Sequence, residues 1–312
     1  MQNHFRSAIA LLKNTFTALS MLQARDGERP LNHIKTSSID QELLLSRLQF
    51  QAKALAGPKW GQTYLLRPIT AHAKIPSKFA SVAEAKDCFH TQTYIHGPST
   101  NARTTLELPD WPSRYRRALD AFLSAQESPL SLEDNHRIRL IKIHLLAIPL
   151  VPKPSGSHPR NDLVNEMHWD QYTTTFENIL DLVESTVRDL QTRQAPSFSL
   201  DFGIIGPLGI LTTRCRDPNL RRKAVHLLRT YNRQEGMWHS SLTASVAERL
   251  IEIEEAGLTD VTHCKDICSA ARVSHMRLHH DLDRQKVVLC YSRQQSPVNH
   301  ERVYFEEEIA YW

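Results

Sequence analysis

Glycine is scarce in this sequence, with 10 residues in 312, and the scarcity excludes a good deal. Parallel-sheet nucleotide folds spend glycine on phosphate loops and tight turns, so its shortage favours helices. A nucleophile elbow, a phosphate-binding glycine loop and a dinucleotide fingerprint are all missing, which removes the support for the enzyme classes built on them. Cysteine is also sparse. Cys88, Cys215, Cys264, Cys268 and Cys290 are odd in number and irregular in spacing, so no disulfide frame is expected, and with no secretory signal ahead of them they read as reduced intracellular thiols.

Long hydrophobic runs are lacking as well. The longest, "HLLAIPLV", contains Pro149 and is far too short to cross a bilayer, so no membrane association is expected. Acids are absent before Asp26, and this start, with Arg6 and Lys13, has a composition that transit peptides share. Its Phe5, Ile9, Leu12, Phe16 and Leu19 nevertheless fall three to four residues apart, the stripe of a helix that packs on other helices.

What the sequence does contain is ordinary globular material, 41% hydrophobic and 23% charged, enough for one large or two ordinary domains. Its net charge of +4, from 38 Lys and Arg against 34 Asp and Glu, is too mild to imply nucleic-acid binding. Ser38 with Gln41 and Ser81 with Glu84 stand at capping-box spacing ahead of helical runs. Further helices are expected after Pro112 and Ser131, the second ending near Pro149. The segment "VPKPSGSHPRND" reads as a linker, which divides the chain into helical parts over 1–150 and 163–312 joined by 151–162. Trp169, Tyr172, Phe176, Ile179, Leu180 and Val183 recur at helical spacing beyond it.

The most unusual stretch is "TTRCRDPNLRRKAVHLLRTYNR", in which seven Lys and Arg share the window with one acid, Asp217. Asp217 before Pro218 is a helix-start signal. Leu220, Ala224, Leu227, Leu228 and Tyr231 then form the buried stripe, with Arg221, Arg222, Lys223 and Arg229 assigned to the other side. The next helix, "SLTASVAERLIEIEEAGLTD", is acidic, with Val246, Leu250 and Ile253 inward and Glu248, Glu252, Glu254 and Glu255 outward. A basic helix followed by an acidic one predicts mutual pairing, so the basic segment reads as a structural helix and not as a DNA-contacting face.

Cys264 with Cys268, and His275 with His279, stand four residues apart, with Asp281 and Asp283 beyond. Zinc accepts such ligands on one helix face, but no Glu adjoins the first His, and cysteines so spaced ordinarily pack as small apolar groups. The acids of "EIEEAG" and "FEEEI" read as solvated charge. No catalytic, metal-binding or cofactor-binding residue is therefore assigned, and no cofactor is expected. "QKVVLCYSRQ" and "RVYFEEEIAYW" are rich in β-branched and aromatic residues, which predicts a terminal β-hairpin packed on helices.

From "FSLDFGIIGPLGILTTRCRDPNLRRKAVHLL" through "EGMWHSSLTASVAERLIEIEEAGL", Phe198 to Leu258, the sequence resembles the C-terminal regulatory region of fungal binuclear zinc-cluster transcription factors. "HFRSAIALLKN", "RLQFQA" and the closing hairpin to Trp312 also fit. Those regulators read DNA through six cysteines in two close triplets, a spacing that the five cysteines of this sequence do not show. Gly206, Pro207 and Gly209 also depart from the pattern after "GII". The resemblance implies an all-α, multi-helix regulatory domain with a small C-terminal hairpin, located in the nucleus. Its partner would be a protein, a full-length zinc-cluster factor or a second copy of the chain, with no direct DNA contact. The alternatives are an enzyme or small-molecule binder of a secondary-metabolite pathway, for which His168, His275 and His279 would have to line one cavity, and a truncated regulator fragment.

Overall fold

The computed structural model describes residues 74–96, 110–151, 166–192, 198–199, 201–236, 238–281, 286–295 and 301–310. The apolar stripe at Phe5–Leu19, the helix expected after Ser38, most of the Pro-rich segment and Trp312 lie outside them. The described residues hold seven α-helices: α1 Val82–His96, α2 Trp111–Ser124, α3 Leu132–Ala147, α4 Thr173–Thr192, α5 Ile205–Arg214, α6 Pro218–Tyr231 and α7 Ser240–Glu254.

The starts of these helices follow their capping residues. Ser81 Oγ accepts from Glu84 N at 3.1 Å, while the Glu84 carboxylate reaches back to Ala80 N. Ser131 Oγ accepts from Asp134 N at 3.0 Å. Asp217 Oδ1 accepts from both Asn219 N and Leu220 N at 3.0 Å, with Pro218 behind it. Each side chain takes up backbone donors that a first helical turn leaves unpaired. At the far end of α3, Pro149 lies in a 3-10 turn, Ile148–Leu150, because a proline cannot extend the α-helical ladder.

The fold is mixed, and the all-α expectation is corrected by two small sheets. In the first, β1 Phe198–Ser199 runs parallel to β2 Gln234–Glu235, which pairs antiparallel with β3 Trp238–His239. In the second, β4 Ser274–Asp281, β5 Lys286–Gln294 and β6 Arg302–Ile309 form an antiparallel sheet in that order. The expected hairpin is present as β5 and β6. A third strand, β4, joins it from the stretch read as a helix carrying His275 and His279, and its register shifts between Ser274 and Arg277. His275 takes a positive φ of 52° in that irregularity, a conformation that few non-glycine residues adopt outside bulges and turns.

Three apolar clusters hold these elements. Phe79, Phe89, Trp111, Tyr115, Leu119 and Ile138 join α1, α2 and α3. Ile143 and Leu150 pack with Trp169, Phe176, Leu180, Ile205, Leu208 and Leu228, so α3 also belongs to the core of α4, α5 and α6. Leu242, Val246, Leu250 and Ile253 of α7 cover Val287, Leu289, Tyr291 and Ile309 of the second sheet. The apolar side chains on α7 recur every three to four residues and those on β5 every second one, so a helix lies across one face of the sheet.

Candidate functional site

The basic segment resolves into two layers, one buried and one exposed. Arg216 and Arg221 are 1% and 0% exposed, and between them lies Glu254 of α7, at 1%. This corrects the reading of Arg221 and Glu254 as outward-facing. Glu254 Oε1 accepts from Arg216 Nη2 and Val273 N, both at 2.7 Å, while Oε2 accepts from Arg216 Nε at 3.2 Å and Arg221 Nη1 at 2.6 Å. Burial would raise the Glu254 carboxyl, but Arg216 and Arg221 outweigh it and hold the group at about 2.

The network continues outward from Arg216. Arg216 Nη1 and Arg214 Nη1 both reach the buried Glu166, at 3.2 and 3.1 Å, and the Arg214 guanidinium lies 4.8 Å over the Trp169 ring. Arg272, also buried, forks onto Asp170 at 2.6 and 2.8 Å and donates to the carbonyls of Glu166, Cys264 and Ile267. All five of its N–H groups are used. The four arginines thus bind α5, α6, α7, the start of β4 and the turn Glu166–Tyr172 into one ionic hub.

The exposed layer joins α6 to the acidic helix, as expected, through Arg222 and Arg229, whereas Lys223 turns to α4. Arg222 meets Glu255 at 2.5 Å, Arg229 meets Glu248 at 2.5 Å and Lys223 meets Glu184 at 3.1 Å. Every cation of α6 named above faces a carboxylate, so a phosphate would have to displace an internal partner. The acids of the terminal strand are engaged too, Glu307 by Arg249 at 2.6 Å and Glu308 by Lys286 at 2.7 Å.

The residues weighed for metal binding are dispersed. Cys264 opens a 3-10 turn, Cys264–Asp266, and Cys268 is exposed past its end, so the pair does not share a helix. His275 and His279 lie on β4, with His275 Nδ1 at 3.0 Å from Ser292 Oγ. Asp283 lies outside the described residues. Among the described residues no group of three or more His, Cys, Asp or Glu is placed to hold a metal ion.

A cavity of about 290 Å³ opens between α1, α3, residues 198–199 and 201–203, and the end of α6. None of His168, His275 and His279 lines it; its histidines are His90, His136 and His144. Helical spacing puts His136, Leu140 and His144 on one face of α3. His90 stacks on Phe202, with ring centroids 4.5 Å apart. His144 Nε2 lies 2.8 Å from the Gly203 carbonyl, and burial pushes its ring down to about 4.

At the cavity's inner wall the buried Glu235 accepts from Ile204 N, Ile205 N and Tyr231 Oη, each at 2.8 Å. Burial raises its carboxyl, against those hydrogen bonds. The two N–H groups belong to the start of α5, where a helix favours negative charge. Gly203 makes this approach possible, because a Cβ there would lie 1.8 Å from Glu235 Oε1. None of these cavity residues carried a linear signal except the tract "DFGII", whose glycine marks a close approach.

Neither a protein-family model nor a solved structure matches the chain. Over 121 residues it is 35% identical to the aspercryptin biosynthesis cluster-specific transcription regulator of Emericella nidulans, a stretch that covers 37% of this chain and 18% of that protein. Part of the chain is thus related to a fungal pathway-specific transcription regulator, and the match spans less than a fifth of that relative's length.

Proposed function

We propose that the chain is a regulatory domain of fungal type that acts in the nucleus through protein contacts, in the control of a secondary-metabolite gene cluster. The observation that carries this reading is the 35% identity over 121 residues to a cluster-specific transcription regulator. The ion pairing of the basic segment supports it from another side, since Arg221, Arg222, Lys223 and Arg229 are each committed to an internal carboxylate. Regulation by contact needs a stable surface with different affinities for two states of a partner, and no catalytic group.

The test is to fuse the 312-residue chain to an unrelated DNA-binding module and measure a reporter gene in a filamentous fungus. A several-fold change in reporter output over the module alone is expected. A well-expressed fusion that leaves the reporter unchanged, and whose chain captures no zinc-cluster regulator when co-expressed, would sink the reading.

The cavity favours a second reading, in which the chain binds a small molecule of the same pathway. Its size falls at the lower end of ligand pockets, and aromatic rings line it beside a few convergent polar groups. A panel of pathway intermediates assayed by thermal shift decides this, with a saturable rise in Tm expected for a true ligand.

A further inference from the structure

The second sheet ends on β6, which among the described residues is hydrogen-bonded to a strand on one side only. Long, open edges of this kind are templates for pairing with another chain. Three consecutive residues on it, Val303, Tyr304 and Phe305, are 42%, 72% and 38% exposed, half of the six large hydrophobic side chains exposed among the described residues. We propose that the outer edge of β6 is a homodimerisation surface, on which two copies of the chain pair antiparallel about a twofold axis through Tyr304.

The backbone allows that axis. Gln295 N donates to Glu301 O at 2.9 Å, and β5 and β6 keep unbroken register from Gln294 opposite Arg302 to Val287 opposite Ile309. In an antiparallel ladder hydrogen-bonded pairs alternate. Val303 and Phe305 therefore turn their N–H and C=O groups toward β5, and Arg302, Tyr304 and Glu306 turn theirs outward. A twofold axis at Tyr304 sets Arg302 opposite Glu306 and Tyr304 opposite itself, all with outward-pointing groups.

The side chains select this axis over its neighbours. On one face it sets Arg302, whose guanidinium also donates to Ser274 Oγ within the sheet, opposite Glu306 twice, flanking a Tyr304–Tyr304 contact. On the other it sets Val303 against Phe305 twice, and Phe305 already stacks on Tyr291 at 5.1 Å. Moving the axis to Phe305 sets Val303 against Glu307 and Tyr304 against Glu306. Moving it to Glu306 sets that acid against its own copy, and like charges directly opposite are destabilising. The like-charge pair at the Tyr304 axis, Glu301 with Glu307, also occurs twice and is offset by Arg249, which holds Glu307 at 2.6 Å.

Sedimentation equilibrium of the full chain tests the proposal, independently of the regulatory reading. A dimer is expected for the wild type. Arg302→Glu and Glu306→Arg should each weaken it at least ~10-fold by setting like charges opposite each other twice. An equimolar mixture of these two variants should recover a dimer, since every pair is then complementary, and so should the double reversal. Tyr304→Lys, at a mostly exposed position in no internal ion pair, should dissociate the dimer without altering the fold. A wild type that stays monomeric into the high micromolar range overturns the proposal, as does a Tyr304→Lys dimer of unchanged strength or a mixture that recovers nothing.

Discussion

Arg221 and Glu254 form an ion pair of 2.6 Å in which neither side chain reaches solvent. Taking two such charges out of water is costly, and Coulombic attraction offsets that cost only while both partners are present. Glu254→Gln leaves Arg216 and Arg221 buried without their shared counter-charge, and a loss of about 3–5 kcal/mol is expected in urea unfolding. Arg222→Ala, which opens an exposed pair with Glu255, should cost less than about 1 kcal/mol. Similar losses from the two variants would contradict the two-layer description.

The same division bears on DNA binding. Changing Arg222, Lys223 and Arg229 together to Ala should leave the affinity for duplex DNA, and its dependence on salt, unchanged from the wild type, because each cation is already neutralised within the fold. A salt-titrated binding assay checks this; a slope that flattens by about one unit per lost lysine or arginine would show phosphate contacts. Arg221 does not belong in the variant, since its loss would strand the buried Glu254, cost about 3–5 kcal/mol and mimic a binding defect.

Acid should weaken the fold in two stages. His144, held at about 4 against an ordinary 6.5, resists a proton that the unfolded chain accepts, so stability falls as pH drops from 6.5 toward 4. Glu254, held at about 2 against an ordinary 4.5, contributes stability that is complete above 4.5 and lost as pH falls toward 2. Glu235 has the opposite sign: its raised carboxyl takes a proton in the folded state first, which stabilises the fold on acidification. Urea midpoints measured from pH 7.5 to 4 should therefore decline, and His144→Gln should flatten that decline. An equal decline in the variant would discount His144.

Two glycines three residues apart should respond differently. Gly203→Ala drives a Cβ into the Glu235 carboxylate, which three hydrogen bonds fix in place, and should cost about 3 kcal/mol, the upper end of overpacking losses. Gly206 lies in the first turn of α5, where an added Cβ would meet nothing within 4 Å beyond its chain neighbours, one of them Pro207, so a gain in helix propensity is set against crowding by the proline ring and its change to Ala should alter stability by less than about 1 kcal/mol. Thermal melts of the two variants distinguish a close approach from simple glycine flexibility.

The helix starts at Ser81, Ser131 and Asp217 were legible because a cap is a local event, settled by a few neighbouring residues. The hub was not, although a trace of it was present. Arg221 stands three residues before Ala224 and seven before Leu228, and Glu254 stands four after Leu250, so both fall on the buried stripes of their helices. Charge argued them outward, and only tertiary structure reveals that they answer each other. β4 was missed because "SHMRLHHD" carries little β-branched or aromatic character and gains its conformation by pairing with β5. The cavity joins residues from His90 to Glu235, a separation that no linear pattern records.

The four-arginine hub also limits how this chain can vary among its descendants. Glu254 serves Arg216, Arg221 and the Val273 amide at once, so a single replacement there strands all three, and drift at this position is easiest through a compensated intermediate. Relatives that lack the glutamate should lack both arginines as well. Where one of the three is kept, the other two should be kept with it.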